Sequence, residues 1–166
     1  MSRPVSASLR KTALFGLLAS LLGVLGCKVQ LIPNTDVEDT AVNRAVIEFC
    51  ETYRTAVERR DVERLMSLAD EGYYENGGTL DATDDIDMAG LREYLTNQFV
   101  QTNGIRYDIR YRRVTLGEKE HVYVDYTFSA SYKVPTDEGE LWQRRVGENR
   151  LELVPHEDGY RVLAGM

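Results

Sequence analysis

Ile105-Arg106-Tyr107-Asp108-Ile109-Arg110-Tyr111-Arg112 alternates apolar and charged side chains without a break. That is the period-two signature of a strand with one face in a core and the other in water. The pattern returns downstream. From His121 to Val134, the residues Val122, Val124, Tyr126, Phe128, Ala130 and Tyr132 share one parity, and small Ser129-Ala130-Ser131 leaves room for a bend. Pro135-Thr136-Asp137-Glu138-Gly139 turns the chain into a third long strand over Leu141 to Val154, and His156-Glu157-Asp158-Gly159 leads into a fourth over Tyr160 to Ala164. Strands joined by such short turns pair as consecutive antiparallel hairpins.

Upstream of Gly104 the period lengthens. Val42, Ala45, Val46, Phe49, Tyr53, Ala56 and Val57 recur every three or four residues, which predicts a helix over 40–60 with these side chains on one face. Asp61 is placed to cap a second helix, whose Val62, Leu65, Met66 and Ala69 turn inward before Asp70-Glu71-Gly72 stops it. Tyr73-Tyr74-Glu75 reads as a short extended piece. Gly77-Gly78 and an acidic loop from Asp81 to Asp87 precede a third helix over 88–99, with Leu91, Tyr94, Leu95 and Phe99 inward and Asn103-Gly104 at its end. Helices followed by a meander make an α+β fold in which three N-terminal helices pack on one face of a strongly bent antiparallel sheet. Phe49, Leu65, Leu95, Tyr107, Val124, Tyr126 and Leu153 are expected to share one continuous core.

The first 26 residues read as an address. Arg3, Arg10 and Lys11 precede an apolar run from Thr12 to Gly26, too short for the roughly 20 residues a membrane span needs, so the segment is expected to be a signal peptide. Val24-Leu25-Gly26-Cys27 resembles the bacterial lipobox, which implies cleavage before Cys27 and a lipid on that cysteine. Lys28 stands where some lipoproteins retained in the inner membrane carry aspartate, so the resemblance implies an outer-membrane anchor facing the periplasm. Residues 27–38 have no sustained period and read as a tether, with the folded domain over 39–166.

The 166 residues contain 20 Lys and Arg against 27 Asp and Glu; outside the basic leader this leaves a net charge of −10. Such an acidic body is a poor match for a phosphate backbone, and nucleic acid is excluded as a partner. Two cysteines make neither a disulfide framework nor a four-ligand zinc site, and no CxxC or HExxH spacing occurs, so no metal or cofactor is called for.

The segments Tyr53 to Asp61 and Leu68 to Asn76, together with the closing Asp158 to Met166, resemble the nuclear-transport-factor-2-like superfamily, which includes ketosteroid isomerases and polyketide cyclases. The resemblance implies a cone with a pocket at its open end. In the isomerase branch a helix-one tyrosine donates to the substrate oxygen, a carboxylate after helix two moves the proton, and a protonated acid on a late strand completes the oxyanion hole. By that resemblance Tyr53 matches the tyrosine, Asn76 within Tyr74-Glu75-Asn76 stands at the proton-moving position, and the late-strand acid falls on or near Asn149, beside Glu148. An amide is not a general base. The candidate pocket residues are therefore Tyr53, Tyr74, Asn76 and Asn149, with no catalytic residue assigned. At its helical spacing among Phe49, Ala56 and Val57, Tyr53 reads first as a core aromatic with its hydroxyl satisfied.

Other candidates point to bland roles. Asp81, Asp84, Asp85 and Asp87 miss the EF-hand spacing and read as a solvated loop. His121 and His156 lack companion ligands. Arg106, Arg110 and Arg112 share a strand face, Arg113, Arg144 and Arg145 lie elsewhere in the sheet, and pairing with Asp108, Asp125 or Glu152 is expected. Cys50 reads as a core thiol. Two classes remain. One is a lipid-anchored, non-catalytic module whose cone binds a small hydrophobic ligand or whose sheet binds a protein, a second copy of the chain among them. The other is a cyclase, isomerase or dehydratase using Tyr53 with Glu148 or Glu75.

Overall fold

The computed structural model describes residues 29–77 and 82–166. The expected signal peptide over 1–26, the lipidation site Cys27, Gly78 and Asp81 lie outside the described residues. Helix α1 spans Ala41–Arg59, with the Thr40 hydroxyl accepting from the Asn43 N–H at 3.1 Å. Arg60 takes the left-handed conformation that ends it, and the Asp61 carboxylate caps α2, Val62–Leu68, from the Arg64 N–H at 2.9 Å. A two-residue ribbon follows, in which β1 (Tyr74–Glu75) pairs antiparallel with β2 (Ile86–Asp87). Asp87 then caps α3, Met88–Val100, from the Gly90 N–H at 2.8 Å.

Four strands complete the chain: β3 Gly104–Leu116, β4 Val122–Thr136, β5 Gly139–His156 and β6 Gly159–Ala164. Each pairs antiparallel with its chain neighbour, in the order β3-β4-β5-β6. Two irregularities bend the sheet. Arg112 is left unpaired between Tyr111 and Arg113, and the β5–β6 register shifts between Glu152 and Leu153. The helices seat on the concave side, where Ala69 bridges to Val162 and the Asp70 N–H donates to the Val162 carbonyl at 2.8 Å.

The core follows the sequence periods with one rotation. Leu65, Leu91, Val124, Leu151, Leu153 and Val162 are fully buried, and Leu95, Tyr107 and Tyr126 join the same cluster. On α1 the buried face is Val46, Ile47, Cys50, Tyr53 and Ala56. Val42 and Ala45 are exposed, and Phe49 is half-buried against the Tyr160 ring, edge to face with centroids 6.1 Å apart. The expected stripe was therefore centred about one residue off, with Ile47 and Cys50 covered in place of Val42 and Ala45. Tyr94 on α3, expected inward, is 39% exposed.

Residues read as a tether are packed. The Ile32 N–H donates to the Val37 carbonyl at 2.9 Å, the Asp39 N–H to the Gln30 carbonyl at 2.8 Å, and the Asp36 N–H to the Tyr111 carbonyl at 2.9 Å. Val37 is buried, and the Asp36 carboxylate bridges Arg110 at 2.6 Å and Arg112 at 2.8 Å. Among the described residues the packed chain thus begins at about Gln30, earlier than the boundary at 39. Hydrogen bonds from the two arginines hold the Asp36 carboxyl at about 2, below its ordinary 3.8. A lowered carboxyl stabilises the fold above its ordinary value, so this attachment is intact at neutral pH and weakens as the pH falls from about 4 toward 2. Among the described residues no helix is long and apolar enough to cross a membrane.

Candidate ligand cavity

Burial falls along β5 from Leu151 and Leu153 toward its start, because β4 and β5 run on past the helices. The concave face left between them, α1 and α3 is a cavity of about 910 Å³. Val57, Leu95, Phe99, Ile105, Phe128 and Val134 supply its apolar wall. Phe128 lies directly over Gly147, its cross-strand partner, where a Cβ would come within 2.9 Å of the ring. The missing side chain is what allows the ring to floor the cavity.

The deep end is polar. Tyr53 from α1, Tyr107 from β3 and Tyr126 from β4 bring their hydroxyls into one hydrogen-bonded cluster. Asn149, opposite Tyr126 in the β4–β5 register, donates its amide Nδ2 to the Tyr126 hydroxyl at 3.2 Å and to the Gly165 carbonyl at 3.1 Å. The Gly165 N–H in turn donates to Glu75 Oε2 at 2.7 Å, and the Met166 N–H to the Tyr73 hydroxyl at 3.2 Å. Burial raises the ionisation of Tyr53 and Tyr107 well above the ordinary phenol value, raises that of Tyr126 against the hydrogen bonds it accepts, and lifts Tyr73 to about 12. All four therefore stay neutral and keep their protons at physiological pH. Burial likewise pushes the Cys50 thiol up, leaving it a neutral core group.

Of the candidate pocket residues, Tyr53 and Asn149 both line the cavity, linked through Tyr126. Tyr74 and Asn76 do not. Tyr74 is half-exposed on the β1–β2 ribbon, its hydroxyl donating to Asp85, and Asn76 is exposed beyond the end of β1. Strand alternation accounts for this: with Tyr73 buried, the residue of the same parity is Glu75, so the loop after α2 turns Glu75 inward and the residues on either side outward. Glu148 borders the cavity, yet it has the parity opposite to Asn149 and also lines a shallower groove with Arg112, Arg113 and Arg150.

Tyr107 and Tyr126 were legible as inward aromatics but not as polar groups of a site. The signal available was three tyrosines at otherwise apolar inward positions, since buried hydroxyls require partners. Elsewhere, His121 Nδ1 lies 2.6 Å from Glu152 Oε1 across the sheet, His156 pairs with Asp158 at 2.7 Å, and Arg150 pairs with Asp125 at 2.7 Å. Arg106 stacks over Trp142 at 4.7 Å from the ring centre. Among the described residues no cluster of three acidic, histidine or cysteine side chains is arranged to hold a metal.

Neither a protein-family model nor a curated protein matches the sequence. Solved structures match the fold. A candidate dehydratase of the NTF2-like family from Streptomyces avermitilis superposes with a TM-score of 0.59 at 15% identity, covering 75% of this chain and 93% of its own. A candidate scytalone dehydratase from Novosphingobium aromaticivorans gives 0.62 at 10% identity, covering 74% and 80%. A protein from Kribbella flavida gives 0.61 at 14% identity, covering 74% and 86%. The fold is that of the nuclear-transport-factor-2-like superfamily: three helices on a curved four-stranded antiparallel sheet with an open-ended cavity.

Proposed function

We propose that the chain is a lipid-anchored bacterial envelope protein whose cone holds a small hydrophobic ligand by its oxygen atoms and does not transform it. One observation carries the binding reading: the cavity is lined by neutral hydrogen-bonding groups, the hydroxyls of Tyr53 and Tyr107 and the Asn149 amide, all joined to the buried Tyr126 hydroxyl behind them. Phenols that keep their protons orient a carbonyl or hydroxyl, and an amide does not take a proton at this pH. Removing a proton requires a basic group within hydrogen-bond reach of it, and a neutral phenol or amide is not one at this pH. Glu75 is engaged by the Gly165 N–H, and Glu148 has the other parity.

A second reading, a dehydratase-type enzyme, is favoured by the presence of Glu148 at the cavity border beside Asn149. Incubating the protein with enone steroids and polyketide-like ketones separates the two. Binding without product is the expected result, and Tyr53→Phe should weaken that binding by the order of one hydrogen bond, about 0.5–1.5 kcal/mol. Product formation that disappears in Glu148→Gln overturns the non-catalytic reading.

The anchor rests on the basic start, the apolar run and the Gly26-Cys27 junction. Cys27→Ser is expected to move the protein from the membrane pellet to the soluble fraction of cells expressing the full chain. A variant that stays wholly with membranes shows that another element holds it there.

A further inference from the structure

Arg145 sits on the cavity side of β5, where its register partner is the small, fully buried Ala130. Its guanidinium lies 6.0 Å from the centre of the Phe128 ring that floors the cavity. The other sheet arginines point elsewhere: Arg110 and Arg112 to Asp36, Arg150 to Asp125, Arg161 to Asp158, Arg144 to Ser129, Arg106 to the Trp142 ring, while Arg113 lines the separate groove. Arg145 makes no ion pair among the described residues, and it supplies the cavity lining with a positive charge. The lining's one acid, Glu148, is not within ion-pair distance of it and borders the groove that carries Arg112, Arg113 and Arg150.

Tyr132 shares the cavity with this cation, whose field opposes the upward effect of burial on the phenol. A guanidinium beside a neutral phenol is a pair of donors suited to a carboxylate. The apolar wall separates this mouth from the hydrogen-bonded cluster at Tyr126 and Asn149. Ala130 and Tyr126 are four residues apart on β4, as Arg145 and Asn149 are on β5, which corresponds to roughly 13 Å at about 3.3 Å per residue. The cavity therefore has a cationic mouth, an apolar middle and a neutral polar cluster at its other end.

Resting on the reading of the cavity as a binding pocket, we infer that its ligand is an amphipathic carboxylic acid with a distal oxygen. The carboxylate meets Arg145 at the mouth, the hydrocarbon body lies along Phe128, and the distal carbonyl or hydroxyl reaches the tyrosine–asparagine cluster. Affinity then depends on charge at one end and on length between the two oxygens.

Matched pairs of probes test this by calorimetry: 10-hydroxydecanoic acid against its amide, and 6-hydroxy-2-naphthoic acid against its amide. In the wild-type protein at low salt the acids are expected to bind about tenfold more tightly than the amides, with the preference shrinking as salt rises. Arg145→Gln should abolish the preference by weakening the acids alone, and Arg145→Lys should retain part of it. Arg113→Gln, on the groove side of the sheet, should leave it intact. Equal binding of acids and amides by the wild-type protein, or a preference undiminished in Arg145→Gln, overturns the assignment of Arg145 while the pocket itself stands. Binding of none of the four at millimolar concentration overturns the pocket reading and this inference with it. Tyr53→Phe provides the distinguishing control, because the pocket reading requires it to weaken acid and amide alike.

Discussion

Leu65→Ala is expected to cost about 2–5 kcal/mol and to lower the melting temperature by about 10 °C. Leu65 is fully buried on α2, the helix that packs on both α1 and α3 and reaches β6 beside the Ala69–Val162 bridge. Truncation removes most of the side chain from the point where three layers meet, and a site so constrained collapses only partly around the loss. A domain of this size holds about 5–15 kcal/mol in total, so the change takes a large share of it. Phe49→Ala provides the internal comparison. Its ring is half-buried and rests mainly on Tyr160, and about 1–2 kcal/mol is expected. Thermal unfolding of both variants measures the difference, and equal losses would mean that α2 does not occupy the centre of the core.

The strands and helices were legible because their two periods are clean and Asp61 marks the start of α2; the structure adds Thr40 and Asp87 as the caps of α1 and α3. The rotation of the α1 face was not legible. Val42 and Ala45 satisfy the helical spacing as well as Ile47 and Cys50 do, and only the position of the sheet edge determines which set is covered. The strap over 30–39 was hidden for a different reason. It has no period, and it is attached by long-range contacts, the Asp36 N–H to the Tyr111 carbonyl and the Asp36 carboxylate to two arginines more than 70 residues away. In the site, Tyr53 and Asn149 were found through family resemblance, whereas the same argument placed Asn76 at a position that the strand parity gives to Glu75. A one-residue shift in an extended segment moves a side chain to the opposite face, which is why Glu75 and not Asn76 turns inward.

Gly165→Ala is expected to damage stability and binding together. Gly165 has a φ of +94°, a conformation that L side chains rarely adopt, and a Cβ built there would lie 1.9 Å from the Arg150 carbonyl oxygen. Strain of this kind costs about 1–3 kcal/mol, and the overlap with backbone forces residues 165 and 166 off β5. The consequence reaches the cavity through named bonds: Glu75 loses the Gly165 N–H, Asn149 loses the Gly165 carbonyl, and Met166 leaves the lining. Asn149 then keeps only Tyr126 and the Arg150 N–H, and Glu75 loses its backbone donor. The variant should melt several degrees below the wild type and bind the hydroxy acids more weakly, with acid and amide affected alike because Arg145 is untouched. A melting point and affinities equal to those of the wild type would show that the closing segment does not seal the base of the cone. Loss of stability with unchanged affinity would separate the two roles, leaving Gly165 a purely structural residue and Tyr53, Tyr107 and Tyr126 sufficient to hold the ligand's oxygen.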